Sequence, residues 1–478
     1  MTSKKSLKLF KKAAVEVPAY GKFLQKEGFD LTQVKKTVDF SRVPIMSKKT
    51  YLQKFEHRDL MWVKDLHSPL SICATSGSTG EPYYFPRNDT LAWQASFMAE
   101  TFLLNSSHGT KGRTLVLMGF GMGVWIGGLI TLRAFEIAAK RLNLPVSFLP
   151  TGYNKTEIFK ALKKLAPEFD QTIIGGYPPF IKELIDEAET EGVNLKKLNI
   201  RLLFAAEAFT ETFRNYVCEK AGIKNPLLDT LNIYGTADMG AMAHETPLSI
   251  LVRQLTLRDP AIYQEFFGQI EKTPTLAQYN PEFIEFESLG HELLITGDAA
   301  MPFIRYAVGD NGGIKTYNAV SSLLGRYGIN LKDEINKAGI KHTVSKKPFV
   351  YVYERTDLSV TLHGIIIYPE FIKEGLLSKE MLPFFTERFS MATKHDIKHN
   401  QFIKINLELR SGVKPTAQLE KDALKAIRAS LLEKSSEFSE VSKNKMSKDL
   451  IKIVLWEKGH PLYFSPGTKQ NWVEKNNN

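Results

Sequence analysis

The chain has 478 residues, of which 43% are hydrophobic and 24% charged, and it carries a formal net charge of +11 with only two cysteines. That length exceeds one ordinary core and the apolar content is ample, so two or more globular domains are expected, with disorder only at the Asn476–Asn478 end. Cys73 and Cys218 cannot build a cysteine-rich zinc site or a secreted disulfide framework, and the positive excess is spread along the front part rather than gathered into a nucleic-acid patch.

In chain order, Met1-Thr2-Ser3-Lys4-Lys5 is basic but no apolar signal stretch follows it, so the cytoplasm is the expected compartment. Thr114–Leu132 carries no charge and has the length of a membrane span. Glycines at 119, 121, 123, 127 and 128 weaken a helix there, so a buried strand, a glycine-rich loop and a helix are expected instead. Val146–Leu149, Thr172–Ile174, Leu202–Phe204 and Leu231–Tyr234 read as further strands. Helical stripes lie between them, at Ile158, Leu162 and Leu165, at Ile181, Leu184 and Ile185, and around Phe213–Cys218. This alternation predicts an α/β fold whose large N-terminal domain has mixed, largely parallel sheets with helices. After about Asp310 the texture changes. A helical segment (Leu323–Ala338) and a strand (Phe349–Tyr353) lead to two alternating strands, Phe402–Leu409 and Ile451–Trp456, around a helix from Leu419 to Leu432. That is a small C-terminal α+β domain, and the expected division is 1–355 and 356–478.

The run Thr75-Ser76-Gly77-Ser78-Thr79-Gly80-Glu81-Pro82 follows the apolar Leu70–Ala74. Its glycines permit positive φ and close backbone approach, while hydroxyls and free N–H groups offer donors to phosphate oxygens. It lacks the Gly-Lys-Ser/Thr ending of a Walker A loop, and alone it is also compatible with a plain polar turn. Four other segments follow it in order: Ala206-Glu207; Ile233-Tyr234-Gly235-Thr236-Ala237-Asp238; Glu292–Thr296 continuing to Pro302–Asp310; and Arg355-Thr356-Asp357 with His363-Gly364 and Tyr368-Pro369. Gly467-Thr468-Lys469 lies near the end.

Together these segments resemble the signature motifs of the adenylate-forming superfamily, and within it the phenylacetate-CoA ligase-like group. The resemblance implies an ATP-dependent ligase that converts a carboxylic acid to an acyl-adenylate and passes the acyl group to coenzyme A. It implies that residues 75–80 grip the triphosphate, that Ala206, Glu207, Tyr234 and Gly235 flank adenine, and that Asp238 holds Mg²⁺. It further implies that Asp310 and Arg355 contact ribose, that Lys469 is the mobile catalytic cation, and that Asp357 is the hinge of the small domain. By the same resemblance Gly121 and Trp125 of the glycine-rich run would line the acyl pocket, with Tyr177 opposite.

Three positions depart from the pattern. Glu81 stands where many relatives have Lys, with Arg87 nearby as a compensating charge; Ala237 replaces a hydroxyl residue; and Glu354 stands where Gly commonly precedes the hinge Arg. Two further readings therefore stay open: the acceptor could be an amine, a protein or a carrier phosphopantetheine, or the chain could bind nucleotide with impaired catalysis. His244 and Glu245, just beyond Asp238, either assist the site or carry surface charge on a helix.

Overall fold

The computed structural model describes residues 3–68, 70–74, 83–123, 126–268, 274–355, 359–376, 378, 380–443, 450–460 and 463–464. Its strands are β1 (Ser71–Ala74), β2 (Tyr84–Arg87), β3 (Thr114–Met118), β4 (Val146–Leu149), β5 (Gln171–Gly176), β6 (Ile200–Ala205), β7 (Thr230–Thr236), β8 (Gly240–His244) and β9 (Thr275–Gln278). They continue as β10 (Ile284–Leu289), β11 (Glu292–Gly297), β12 (Phe303–Lys315), β13 (Phe349–Arg355), β14 (Val360–Leu362), β15 (Ile365–Ile367), β16 (Phe385–His395), β17 (Gln401–Leu409) and β18 (Ile451–Trp456).

Eleven strands make one sheet, in the order β10-β11-β12-β13-β9-β8-β7-β6-β5-β3-β4. The segment β4-β3-β5-β6-β7 is parallel, each strand separated in sequence from the next by a helix. Every residue of β3 and β5 is buried, as strands covered by helices on both faces require. From β8 to β10 the pairing is antiparallel. The uncharged run at Thr114 therefore folds as the strand β3 and a helix, Ile126–Leu142; among the described residues no helix is long and apolar enough to cross a membrane.

The segment expected as one helix from Leu323 to Ala338 is two, Tyr317–Arg326 and Leu331–Lys337, parted at Gly328, whose φ of 73° ends the first turn sequence. Beyond residue 359 the hairpin β14–β15 precedes a separate three-stranded sheet, β16-β17-β18, in which β17 and β18 are parallel. Helices Pro369–Leu376, Ala417–Lys434 and Ser436–Lys443 belong to this part. The long strand β16 carries Glu387, Arg388, Lys394 and His395 among its apolar residues, so its sequence hides its alternation.

Beneath β7 lies a dry ionic network. Arg214 donates to Glu245 at 2.7 Å and to Glu211 at 3.1 Å, and Arg253 donates to Glu211 at 2.8 Å, all in the buried interior. Glu245 also accepts the backbone N–H of Asn232 at 3.0 Å. Glu245 is thus neither a helix residue nor a surface charge, and His244 ends β8 with burial pushing its pKa down to about 3. Removing one member leaves an unpaired buried charge, which costs far more than the pair contributes. Arg214→Leu is expected to lower stability by about 3–5 kcal/mol. The measurement is a urea titration, where the midpoint should fall at unchanged slope.

Candidate functional site

The β7–β8 turn brings the first two expected residues to one place. β7 is apolar and buried to Tyr234, and Gly235 lets β7 and β8 approach closely: a Cβ there would sit 2.4 Å from the Gly240 carbonyl oxygen. The turn then presents Asp238, whose Oδ2 accepts the Tyr306 hydroxyl at 2.8 Å. Tyr306 is in turn set by Arg305, which adopts φ 46° and is held by Glu287 at 3.1 Å and by the carbonyls of Ser41 and Val43 at 2.7 and 2.6 Å. The segment around Met46 bridges β12 at Tyr306. Arg305 belongs to a motif the sequence singled out, but its left-handed backbone was visible only in the fold.

Asp310 does not close a turn after Gly309. Both lie inside β12, where Gly309 has φ 80° and the register with β13 shifts between Asp310 and Gly312, a bulge that re-aims the carboxylate. Asp310 accepts the Tyr234 hydroxyl at 2.7 Å and lies directly opposite Arg355 in the β12–β13 ladder. Tyr234, Asp310 and the backbone of Arg355 thus share one corner, although they are up to 121 residues apart (355 − 234).

The strands β1 and β2 form the antiparallel hairpin that flanks residues 75–82. Arg87, at its far end, is buried and does not stand free as a replacement for a loop lysine. Its guanidinium donates to the carbonyl of Asp238 at 2.6 Å and to that of Ala237. Phe85 lies under it at 5.0 Å, and desolvation pulls its pKa down to about 10.

Ala206 and Glu207 follow β6, with Ala206 at φ 73°. The Glu207 carboxylate turns away from the Tyr234 corner toward the C-terminal part. It accepts the Gly364 N–H and the Gln401 amide, the latter at 2.6 Å, while its carbonyl is held by Asn232 at 2.9 Å. Gly364, with φ 79°, is the tip of the β14–β15 hairpin and lies against the Tyr177 ring; a Cβ there would come within 2.8 Å of it. Tyr177 also meets Phe120 at 5.6 Å and Tyr153 at 5.8 Å, and Gly121, buried beside Phe120, accepts from Gly128 N–H at 3.2 Å. Burial pushes Tyr177 up to about 12. Gly121 and Tyr177 are therefore near neighbours, and the hairpin that touches Tyr177 is a feature no local sequence signal announced.

Burial at this seam raises Glu183, Glu207 and Glu437 to about 7 and lowers His363 to about 4. Thr75, Ser76, Gly77, Ser78, Thr79, Gly80, Trp125, Asp357 and Lys469 lie outside the described residues. Among the described residues no group of three His, Cys, Asp or Glu could hold a metal ion.

No protein-family model matches the chain. Its sequence is similar to phenylacetate-coenzyme A ligase of Pseudomonas putida, 25% identical over 281 residues; the match covers 57% of this chain and 56% of that one, so the chain spans little over half of the curated relative. Its structure is similar to 2-hydroxyisobutyryl-CoA ligase in complex with 2-HIB-AMP and CoA in the thioesterification state, with TM-score 0.61, 16% identity and coverage of 98% of this chain and 89% of that one. Against the same ligase in the postadenylation state with 2-HIB-AMP the TM-score is 0.51, at 16% identity and coverage of 99% and 88%. The fold is that of the adenylate-forming CoA ligases, and the sequence likeness points to the same group.

Because Glu207 titrates near 7 here against an ordinary 4.5, its burial is free of cost below about pH 4.5 and costs stability as pH rises through 7. At pH 8 the full penalty is on the order of 3 kcal/mol. Glu183 and Glu437 act in the same sense, and His363 in the opposite sense below pH 6.5. Melting curves from pH 5 to 8 should show a shallower alkaline decline for Glu207→Gln than for the parent protein. Parallel declines would refute this assignment.

Proposed function

We propose that the protein is an AMP-forming acid–thiol ligase. In the first half-reaction a carboxylate oxygen of the substrate attacks the α-phosphorus of ATP, the bond to the β-phosphate oxygen breaks, and pyrophosphate leaves. In the second the thiol sulfur of coenzyme A attacks the acyl carbonyl, loses its proton, and AMP departs. A carboxylate needs this activation because oxide is a very poor leaving group, and the protein must hold two anions together while charge develops at phosphorus.

The observation that carries the reading is the convergence of Tyr234, Asp310 and Arg355 beside an Asp238 turn that is tied to the hairpin bearing residues 75–82. Asp310 would accept from the ribose hydroxyls, with Tyr234 fixing its second oxygen. Residues 75–80 would take the triphosphate, Arg355 a ribose or phosphate contact, and Lys469 the mobile charge of the first step. The Asp238 Oδ1 has no protein partner among the described residues, and a hard oxygen donor suits Mg²⁺. Mg²⁺ bound there would neutralise charge on the phosphate oxygens. The aromatic and glycine-lined ground around Phe120, Gly121 and Tyr177 suits an aryl or medium-chain acyl group.

The division at 355/356, with a hinge at Asp357, is part of the same proposal. The Gly364 hairpin seated on Tyr177, and the higher TM-score with the thioesterification-state ligase, support reading this arrangement as the thiol-transfer pose. An amine, protein or carrier acceptor is the second reading: the seam leaves the identity of the nucleophile to its outer rim, and acyl products analysed by mass spectrometry with and without coenzyme A separate the two.

The test is carboxylate-dependent exchange of labelled pyrophosphate into ATP without coenzyme A. Exchange with at least one acid of a broad aryl and acyl panel is expected, and its absence across the panel sinks adenylation. Asp310→Asn should lower exchange about 100-fold through a lost charge-assisted contact, and Tyr234→Phe about tenfold, the worth of one hydrogen bond. Both variants should retain the parent melting profile.

A further inference from the structure

Arg87 spans two parts of the site that are 150 residues apart in sequence, reaching from the end of β2 to the carbonyl of Ala237 and, at 2.6 Å, that of Asp238. Two successive carbonyls can both accept from one planar guanidinium only if the peptide between them is held in a fixed attitude. Asp238 is then fixed twice, through its backbone by Arg87 and through its carboxylate by Tyr306. The guanidinium is closed off from solvent, with Phe85 on one face and the Cys73 thiol beside it, and its Nε finds no acceptor among the described residues. A buried cation with two carbonyl partners and no carboxylate in contact is costly to keep as structure alone. Tyr83, two residues upstream of β2's middle, also feels the Asp238 charge.

We propose that Arg87 is a positioning residue that locks the Asp238 turn and the β1–β2 hairpin into one rigid unit, so that the metal-binding carboxylate and the triphosphate loop keep a fixed separation. This rests on the ligase reading and deepens it. It also accounts for the tolerance of Glu81: the cation of this site is set beneath the turn, where it orients peptide dipoles, instead of standing in the loop. Lysine cannot replace it, because an ammonium is a point donor that cannot bridge both carbonyls with the same geometry.

The experiment compares the full chain with Arg87→Lys, which keeps the charge, and Arg87→Met, which removes it. Hydrogen exchange is the first arm. In Arg87→Lys, amides of residues 236–240 and 83–87 should exchange about tenfold faster, with other segments unchanged. Pyrophosphate exchange as a function of Mg²⁺ is the second. The Mg²⁺ needed for half-maximal rate should rise about tenfold, as for loss of an outer-sphere partner, and kcat should fall about 100-fold for a displaced reacting geometry. KM for the acid should stay within about threefold. Unchanged amide exchange in Arg87→Lys overturns the proposal whatever the activity, and so does an unaltered Mg²⁺ profile in an active parent. A parent protein with no pyrophosphate exchange removes the ligase reading alone, and the tie is then decided by amide exchange together with calorimetry of Mg²⁺–ATP binding. Arg87→Met may not be needed if it fails to fold, since Arg87→Lys decides each arm.

Discussion

The Arg214–Glu245–Asn232 connection fixes the frame on which the rest is hung. Glu245, at the start of the segment after β8, grips the backbone of β7 through Asn232, and Asn232 grips the carbonyl of Glu207 after β6. Charges in a dry interior tolerate no half-made state, because an unpaired member loses its hydration without recompense. The strand end bearing Tyr234 and the turn bearing Glu207 are therefore held in one geometry, and both the nucleotide corner and the domain seam inherit it. Arg305 does the equivalent on the other side, trading a left-handed backbone for contacts that bring the 41–46 segment to β12 and seat Tyr306 on Asp238.

The parallel half of the sheet was legible because βαβ units write their strands as short apolar runs between amphipathic helices, as β3, β5 and β6 do. Tyr234, Asp238 and Asp310 were legible because glycines beside them mark where a strand bends or two strands close in. Other features depend on partners far away in the chain. Arg87 looked like a spare charge until two carbonyls 150 residues on were seen to receive it. Glu207 carries no local sign that its acceptors would be Gly364 and Gln401, and Glu245 reads as a surface acid unless Arg214 is known to lie beneath it. β16 was missed because charged residues interrupt its alternation.

The two regions differ in kind. The nucleotide corner is held by ion pairs, bidentate guanidinium contacts and a bulge, all of which resist small displacements. The seam is held by a carboxylate without a cation, by aromatic edges and by a glycine tip, among groups whose protons are poorly held near neutrality. Stiffness on one side and yielding contacts on the other suit a molecule that must keep a nucleotide still while a second body comes and goes.

Gly364 gives that seam its tolerance. With only hydrogen on its α-carbon, the hairpin tip can settle on the Tyr177 ring while its N–H reaches Glu207. One methyl group would act as a shim, propping the two surfaces apart and pulling the amide out of range of its acceptor. The clearance between the two parts of the molecule is thus machined by the absence of a side chain, and the fit of the joint is set by a hydrogen atom.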